Sequence, residues 1–118
     1  MESVLRDKSY LFALRVVKLY KHLIKQHKEY TLSKQILRSG TSIGALVREA
    51  QYAQSTKDFI NKLSIALKEA SESEYWIMLL KDSEFISEKM HDSIQLDINE
   101  LIKMLTASIN TAKKKLEQ

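Results

Sequence analysis

The chain has no cysteine, no proline and only two glycines in 118 residues. Without cysteine there is no disulfide framework, a composition that fits a reducing compartment. Without proline, and with so little glycine, the usual punctuation of strands, hairpins and long loops is missing, so an all-helical chain is expected. No run of about 18 apolar residues occurs and no basic-then-apolar leader. Neither membrane spanning nor export is indicated, and a cytoplasmic location is expected. Hydrophobic residues at 44% and charged residues at 29% give an ordinary globular balance, and the length suits one domain, residues 1–118, with one core.

What charge there is lies unevenly. The formal net charge is +4, and residues 1–34 alone carry eight Lys/Arg against three acids, while residues 56–85 carry four against six. An N-terminal basic excess allows contact with nucleic acid or with an acidic protein face.

Four amphipathic stretches divide the chain. The first is expected to be a helix over residues 4–28, with Ser3 before it as a cap. Leu5, Phe12, Val16, Leu19 and Leu23 share one arc, flanked by Ala13, Val17, Tyr20 and Ile24. The opposite arc carries Lys8, Arg15, Lys18, Lys21, His22, Lys25 and Lys28, interrupted by Tyr10, Leu11 and Leu14. Such a stripe is most often a solvated face; its functional reading is a surface for nucleic-acid phosphates, with Arg15, Lys18, Lys21, Lys25 and Lys28 as the binding residues. No base-reading pattern accompanies it.

The second helix is expected over residues 32–53, capped by Thr31 or Ser33. It holds both glycines, Gly40 and Gly44, on or beside the face of Ile36, Ile43, Val47 and Ala50. A glycine inside a helix costs about 1 kcal/mol against alanine, so close approach of another helix should recover the loss. The third helix is expected to be that neighbour. As a phosphate loop the stretch fails, since no strand precedes it and no Lys-Ser/Thr pair ends it.

Ser55 and Asp58 have the spacing of a capping box opening a third helix over residues 56–81. One face carries Phe59, Ile60, Leu63, Ala66, Leu67, Ala70 and Ile77; a second carries Ile65, Trp76 and Leu80. Two apolar faces require two sets of neighbours, inside the bundle or across a subunit contact. Glu74 and Glu69 interrupt these faces, and a carboxylate so placed needs a partner. Arg38 is the best-placed cation, so a polar cluster of Arg38, Thr41, Ser42, Glu49, Glu69 and Glu74 is expected, with the role of fixing helix register or oligomer geometry. The fourth helix, residues 88–115, carries one stripe of Met90, Ile94, Ile98, Leu101, Leu105, Ile109, Ala112 and Leu116.

Catalytic and metal-binding patterns are absent. A di-iron bundle needs two Glu-x-x-His motifs, and only Glu88-Lys89-Met90-His91 occurs. His22 and His27 lack a partner at metal spacing. No nucleophile–base–acid set is recognisable. No cofactor, no metal and no enzymatic activity are expected.

Beyond these patterns, the run Gln35-Ile36-Leu37-Arg38-Ser39-Gly40-Thr41-Ser42-Ile43-Gly44-Ala45 with Arg48-Glu49-Ala50 resembles the signature of the four-helix bundle proteins encoded by intervening sequences of bacterial 23S ribosomal RNA genes. The block of Ser55, Lys57-Asp58-Phe59, Lys62-Leu63, Ile65 to Ala70 and Glu74-Tyr75-Trp76 agrees, as do Arg15, Leu19 and Tyr20 in the first helix and Leu101 to Leu105 in the fourth. Leu46 stands where the family often has Asn, so any polar contact of that amide is missing. The resemblance implies an antiparallel up-down four-helix bundle that assembles into a ring, commonly a homopentamer. A related group, the accessory variability determinants of diversity-generating retroelements, uses such a barrel to bind nucleic acid and a reverse transcriptase. Two functions are therefore expected to compete. One is a non-enzymatic homo-oligomer that binds RNA or DNA backbone through the basic first-helix face; the other is a protein-interaction scaffold, for a reverse transcriptase or another protein, without a nucleic-acid role.

Overall fold

A computed structural model describes residues 2–118, with side chains from Val4 onward. Four helices account for nearly all of it: α1 (Glu2–His27), α2 (Leu32–Gln51), α3 (Thr56–Asp82) and α4 (Glu88–Glu117). They form a rod of 52 × 21 × 19 Å. Each helix packs on its neighbours in the chain, and α4 returns to α1 in a looser contact. α1 runs antiparallel to both α2 and α4. Gly40 and Gly44 of α2 meet Val16 and then Ser9 of α1; Lys8 and Arg15 of α1 meet Glu100 and then Asp97 of α4.

The helix ends have local causes. α1 starts two residues earlier than expected, so Ser3 lies inside it; the Ser3 side chain lies outside the described residues. It ends where Lys28 enters the left-handed region, φ 51°, with its N–H donating to the Ile24 carbonyl. Neither Thr31 nor Ser33 caps α2: the Thr31 side chain makes no cap bond, and the Glu29 carboxylate accepts from the Ser33 N–H at 2.8 Å. A carboxylate there also suits the positive end of the helix dipole. The Ser55 side chain accepts from the Asp58 N–H at 3.1 Å, while Asp58 reaches back to the Gln54 N–H, one residue beyond the usual box. At the far end of α3, Glu84 takes φ 67°, and the Phe85 and Glu84 N–H groups donate to the Leu80 and Lys81 carbonyls. This is a Schellman ending with glutamate in the position glycine prefers.

The core follows the apolar stripes. Leu5, Phe12, Val16, Leu19 and Leu23 of α1 and Ile94, Ile98, Leu101, Leu105, Ile109 and Ala112 of α4 are buried. Leu116, expected on the α4 stripe, is 46% exposed near the end of the helix. On α3, Leu80 is fully buried, which assigns it to the core instead of to the second face. Buried polar groups pair where they meet: the Ser39 and Ser73 hydroxyls, both fully buried, share a 3.0 Å hydrogen bond between α2 and α3.

The glycines face α1, not α3 as expected. A methyl group on Gly40 would stand 2.7 Å from Cγ2 and 2.9 Å from Cγ1 of Val16, and one on Gly44 3.2 Å from the Ser9 carbonyl oxygen. The periodicity identified a small face correctly but could not say which helix fills it. Gly40→Ala gains about 1 kcal/mol of helix propensity and loses about 1–3 kcal/mol to overpacking, because valine holds one rotamer in a helix. Denaturant titration should therefore show Gly40→Ala less stable than the parent by about 1 kcal/mol, and Gly44→Ala closer to neutral; a stabilised Gly40→Ala variant would contradict this seam.

Candidate nucleic-acid interface and polar clusters

The basic residues of α1 divide into two groups. Those up to Arg15 are paired: Arg6 lies by Asp7, Lys8 pairs with Glu100, and Arg15 pairs with Asp97 at 2.8 Å. Arg15 also donates to the Ser93 carbonyl and hydroxyl. Of the five residues expected to bind phosphate, Arg15 is thus tied across to α4. The other four, Lys18, Lys21, Lys25 and Lys28, are exposed and make no ion pair among the described residues. Lys18, Lys21 and Lys25, three and four residues apart, lie near one side of the helix, and Lys28 follows in the turn after it.

The expected polar cluster resolves into separate parts. Arg38 of α2 reaches α3, where it bonds Glu69 at 3.1 Å and also Glu72. Glu72 was not anticipated, although its place three residues after Glu69 and four before Trp76 puts it on the same face. Glu74 instead turns to α4 and accepts from Gln95 at 2.6 Å. Glu49 is exposed, and Thr41 and Ser42 donate to carbonyls of their own helix, Leu37 and Arg38. Within the triad the two carboxylates differ. The Arg38 hydrogen bond holds Glu72 below the usual carboxylate range. Burial pushes Glu69 up. The Arg38 pKa is raised, chiefly by its bond to Glu72.

Elsewhere, His22 and His27 meet edge to face at 5.3 Å, and His27 meets Phe85 at 5.7 Å. No group of three or more metal-ligating side chains comes together among the described residues. A cleft of about 390 Å³ between the end of α2, the start of α3 and the end of α4 is lined by Ser55, Thr56, Ser108, Thr111 and Lys115 over apolar side chains; none of its lining residues is an acid or a histidine. No described helix is long and apolar enough to cross a membrane.

Because Glu72 has a lower pKa folded than unfolded, its contribution is present at neutral pH and is lost as pH falls through its folded pKa. Glu69, raised, works the other way: its contribution favours folding where it is protonated and is lost as pH rises through its folded pKa. Glu72→Gln should therefore be less stable than the parent at neutral pH by no more than about 1 kcal/mol, since the pair is partly exposed. Denaturant midpoints should converge by about pH 2; a gap that persists unchanged in acid would refute the assignment.

Comparison with known proteins places these features. The pattern of the 23S rRNA-intervening sequence protein family matches residues 2–107. A solved structure of a protein of unknown function from the S23 ribosomal protein family, from Bacteroides thetaiotaomicron VPI-5482, is similar to this chain. It shares 55% identity at a TM-score of 0.92, over 92% of this chain and 97% of that one. No curated protein matches. With nearly the whole chain covered by the family pattern, this protein belongs to the 23S rRNA-intervening sequence protein family.

Proposed function

We propose that the protein is a non-enzymatic homo-oligomer that binds RNA or DNA backbone through the outer face of α1. The observation that carries this reading is the division of charge along that helix. Lys18, Lys21, Lys25 and Lys28 are exposed and make no ion pair among the described residues, whereas Lys8 and Arg15 of α1 are matched by acids of α4. Four such ammonium groups can replace condensed counterions on a phosphate chain, and the released ions drive binding without reading sequence. Assembly is supported by apolar groups left outside. Leu11 and Leu96 are 62% and 70% exposed on the α1–α4 side, and Tyr75 and Met78 are 52% and 48% exposed on α3. Two different apolar faces are what a head-to-tail ring needs. A ring, favoured as a pentamer by the family resemblance, would multiply the lysine row and add avidity.

The same exposed side chains, with Tyr10 and Leu14, support a second reading. In it the assembly is a scaffold for another protein, such as a reverse transcriptase, and the lysines are only solvated. Pull-down with and without nuclease separates the two, since a scaffold keeps its partner after digestion.

For the first reading, affinity for RNA or DNA should fall steeply with salt and show little sequence preference. Replacing Lys18, Lys21 and Lys25 by glutamine should lower the slope of log affinity against log salt by about two to three units. An absence of binding at low salt would refute it. Light scattering should give a mass several times the 13.7 kDa of one chain; a strict monomer at micromolar concentration would remove the ring from both readings.

A further inference from the structure

Along the chain, an exposed tyrosine stands before the lysine row and another after it. On α1, Tyr10, Leu14, Lys21 and Lys25 fall within about 60° of arc, with Lys18 about 20° beyond. Tyr10 is 63% exposed and makes no ring contact, hydrogen bond or ion pair among the described residues. Tyr30, two residues past Lys28 in the turn before α2, is 52% exposed and equally unpartnered. Neither ring serves the core, and the helix dipole gives no reason for an aromatic at either place.

We propose that the row takes a single strand of nucleic acid, with phosphates on Lys18, Lys21, Lys25 and Lys28 and unstacked bases on the faces of Tyr10 and Tyr30. The chemistry separates strand from duplex. Both offer phosphates, but duplex bases are stacked on one another and cannot lie on a ring carried by the convex side of a helix. A single strand has free base faces, and lysine rows combined with aromatic rings are how sequence-tolerant single-strand sites work. From Tyr10 to Lys25 the helix rises about 22 Å, enough for several nucleotides. RNA and DNA strands share this chemistry. The inference rests on the backbone-binding reading above and adds strandedness to it.

Fluorescence anisotropy at low salt tests it with labelled oligothymidylate, oligouridylate and a mixed-sequence DNA duplex of equal length, on the full chain. The parent protein should bind one or both single strands at least about tenfold tighter than the duplex. Tyr10→Ala with Tyr30→Ala should weaken single-strand binding by about fivefold or more per lost base contact, leave duplex binding and the salt slope unchanged, and be rescued by Tyr10→Phe with Tyr30→Phe. The oligouridylate and oligothymidylate arms tell an RNA strand from a DNA strand. Equal affinity for strand and duplex, or no effect of the alanine variant, overturns this inference and leaves backbone binding standing. No binding of any probe overturns both. Light scattering of the alanine variant should give the parent mass; a smaller mass would make the tyrosines subunit contacts and overturn the inference.

Discussion

The seam between α1 and α2 at Gly40 and Gly44 governs the rest of the molecule. Val16 and the Ser9 backbone occupy the space that side chains on α2 would fill, so the two helices lie close and the rotation of α1 about its own axis is fixed. Fixing that rotation decides which arc of α1 faces outward, because Ser9 and Val16 can only meet α2 if Tyr10, Lys18, Lys21 and Lys25 point away from it. The looser side is α1 against α4. There the gap is spanned by the long side chains of Lys8 and Arg15 over a cavity of about 300 Å³ bordered by Leu11 and Phe12. Close contact on one side and ion pairs on the other are two results of one placement.

The Arg38 triad does a different job on the α2–α3 side. Its members are partly exposed, so each pair is worth at most about 1 kcal/mol, far less than the apolar burial around it. What the triad adds is register. Arg38 reaches Glu69 and Glu72 beside the level at which Ser39 meets Ser73, and a slip of one turn would take from the buried Ser39 hydroxyl its partner on α3 and from the half-buried Glu69 its cation, while Ser73 would keep its bond to the Glu69 carbonyl. Leaving such groups unpaired costs more than making the bonds gains.

Much of this was legible in the sequence, and the misses share a cause. Helical spacing gives the angle at which a residue leaves its own helix, so the α1 and α4 stripes, the small face of α2 and the capping pair of Ser55 with Asp58 could be read directly. It does not say which helix stands opposite. Spacing alone therefore points Gly40 and Gly44 at α3, where α1 stands instead, and sets Glu74 beside Arg38 although it faces Gln95 of α4. Glu72 was different: its angle put it on the face of Glu69 and Trp76, and the signal was there. Ser39 and Ser73 sit at core angles, but that one meets the other depends on α2 lying against α3. The pairing of Arg15 with Asp97 depends on α1 and α4 being neighbours, a fact of closure that no local pattern contains.

The lysines outside the bundle can be weighed in the same physical terms. Near the end of α1, Lys25 and Lys28 meet the negative pole of the helix dipole, which favours cations by about 0.3–1 kcal/mol within the last turn. Their presence needs no ligand. Lys18 and Lys21 lie beyond that reach, and like charges three and four residues apart repel by a few tenths of a kcal/mol each. That is a small cost, but one that no acid among the described residues offsets by an ion pair, although α4 offsets the charges of Lys8 and Arg15 a few turns earlier. Tyr10 is the stronger anomaly, since neither the dipole nor the core accounts for a free ring in line with unpaired ammonium groups. A phosphate chain with exposed bases would relieve the repulsion and use the ring together.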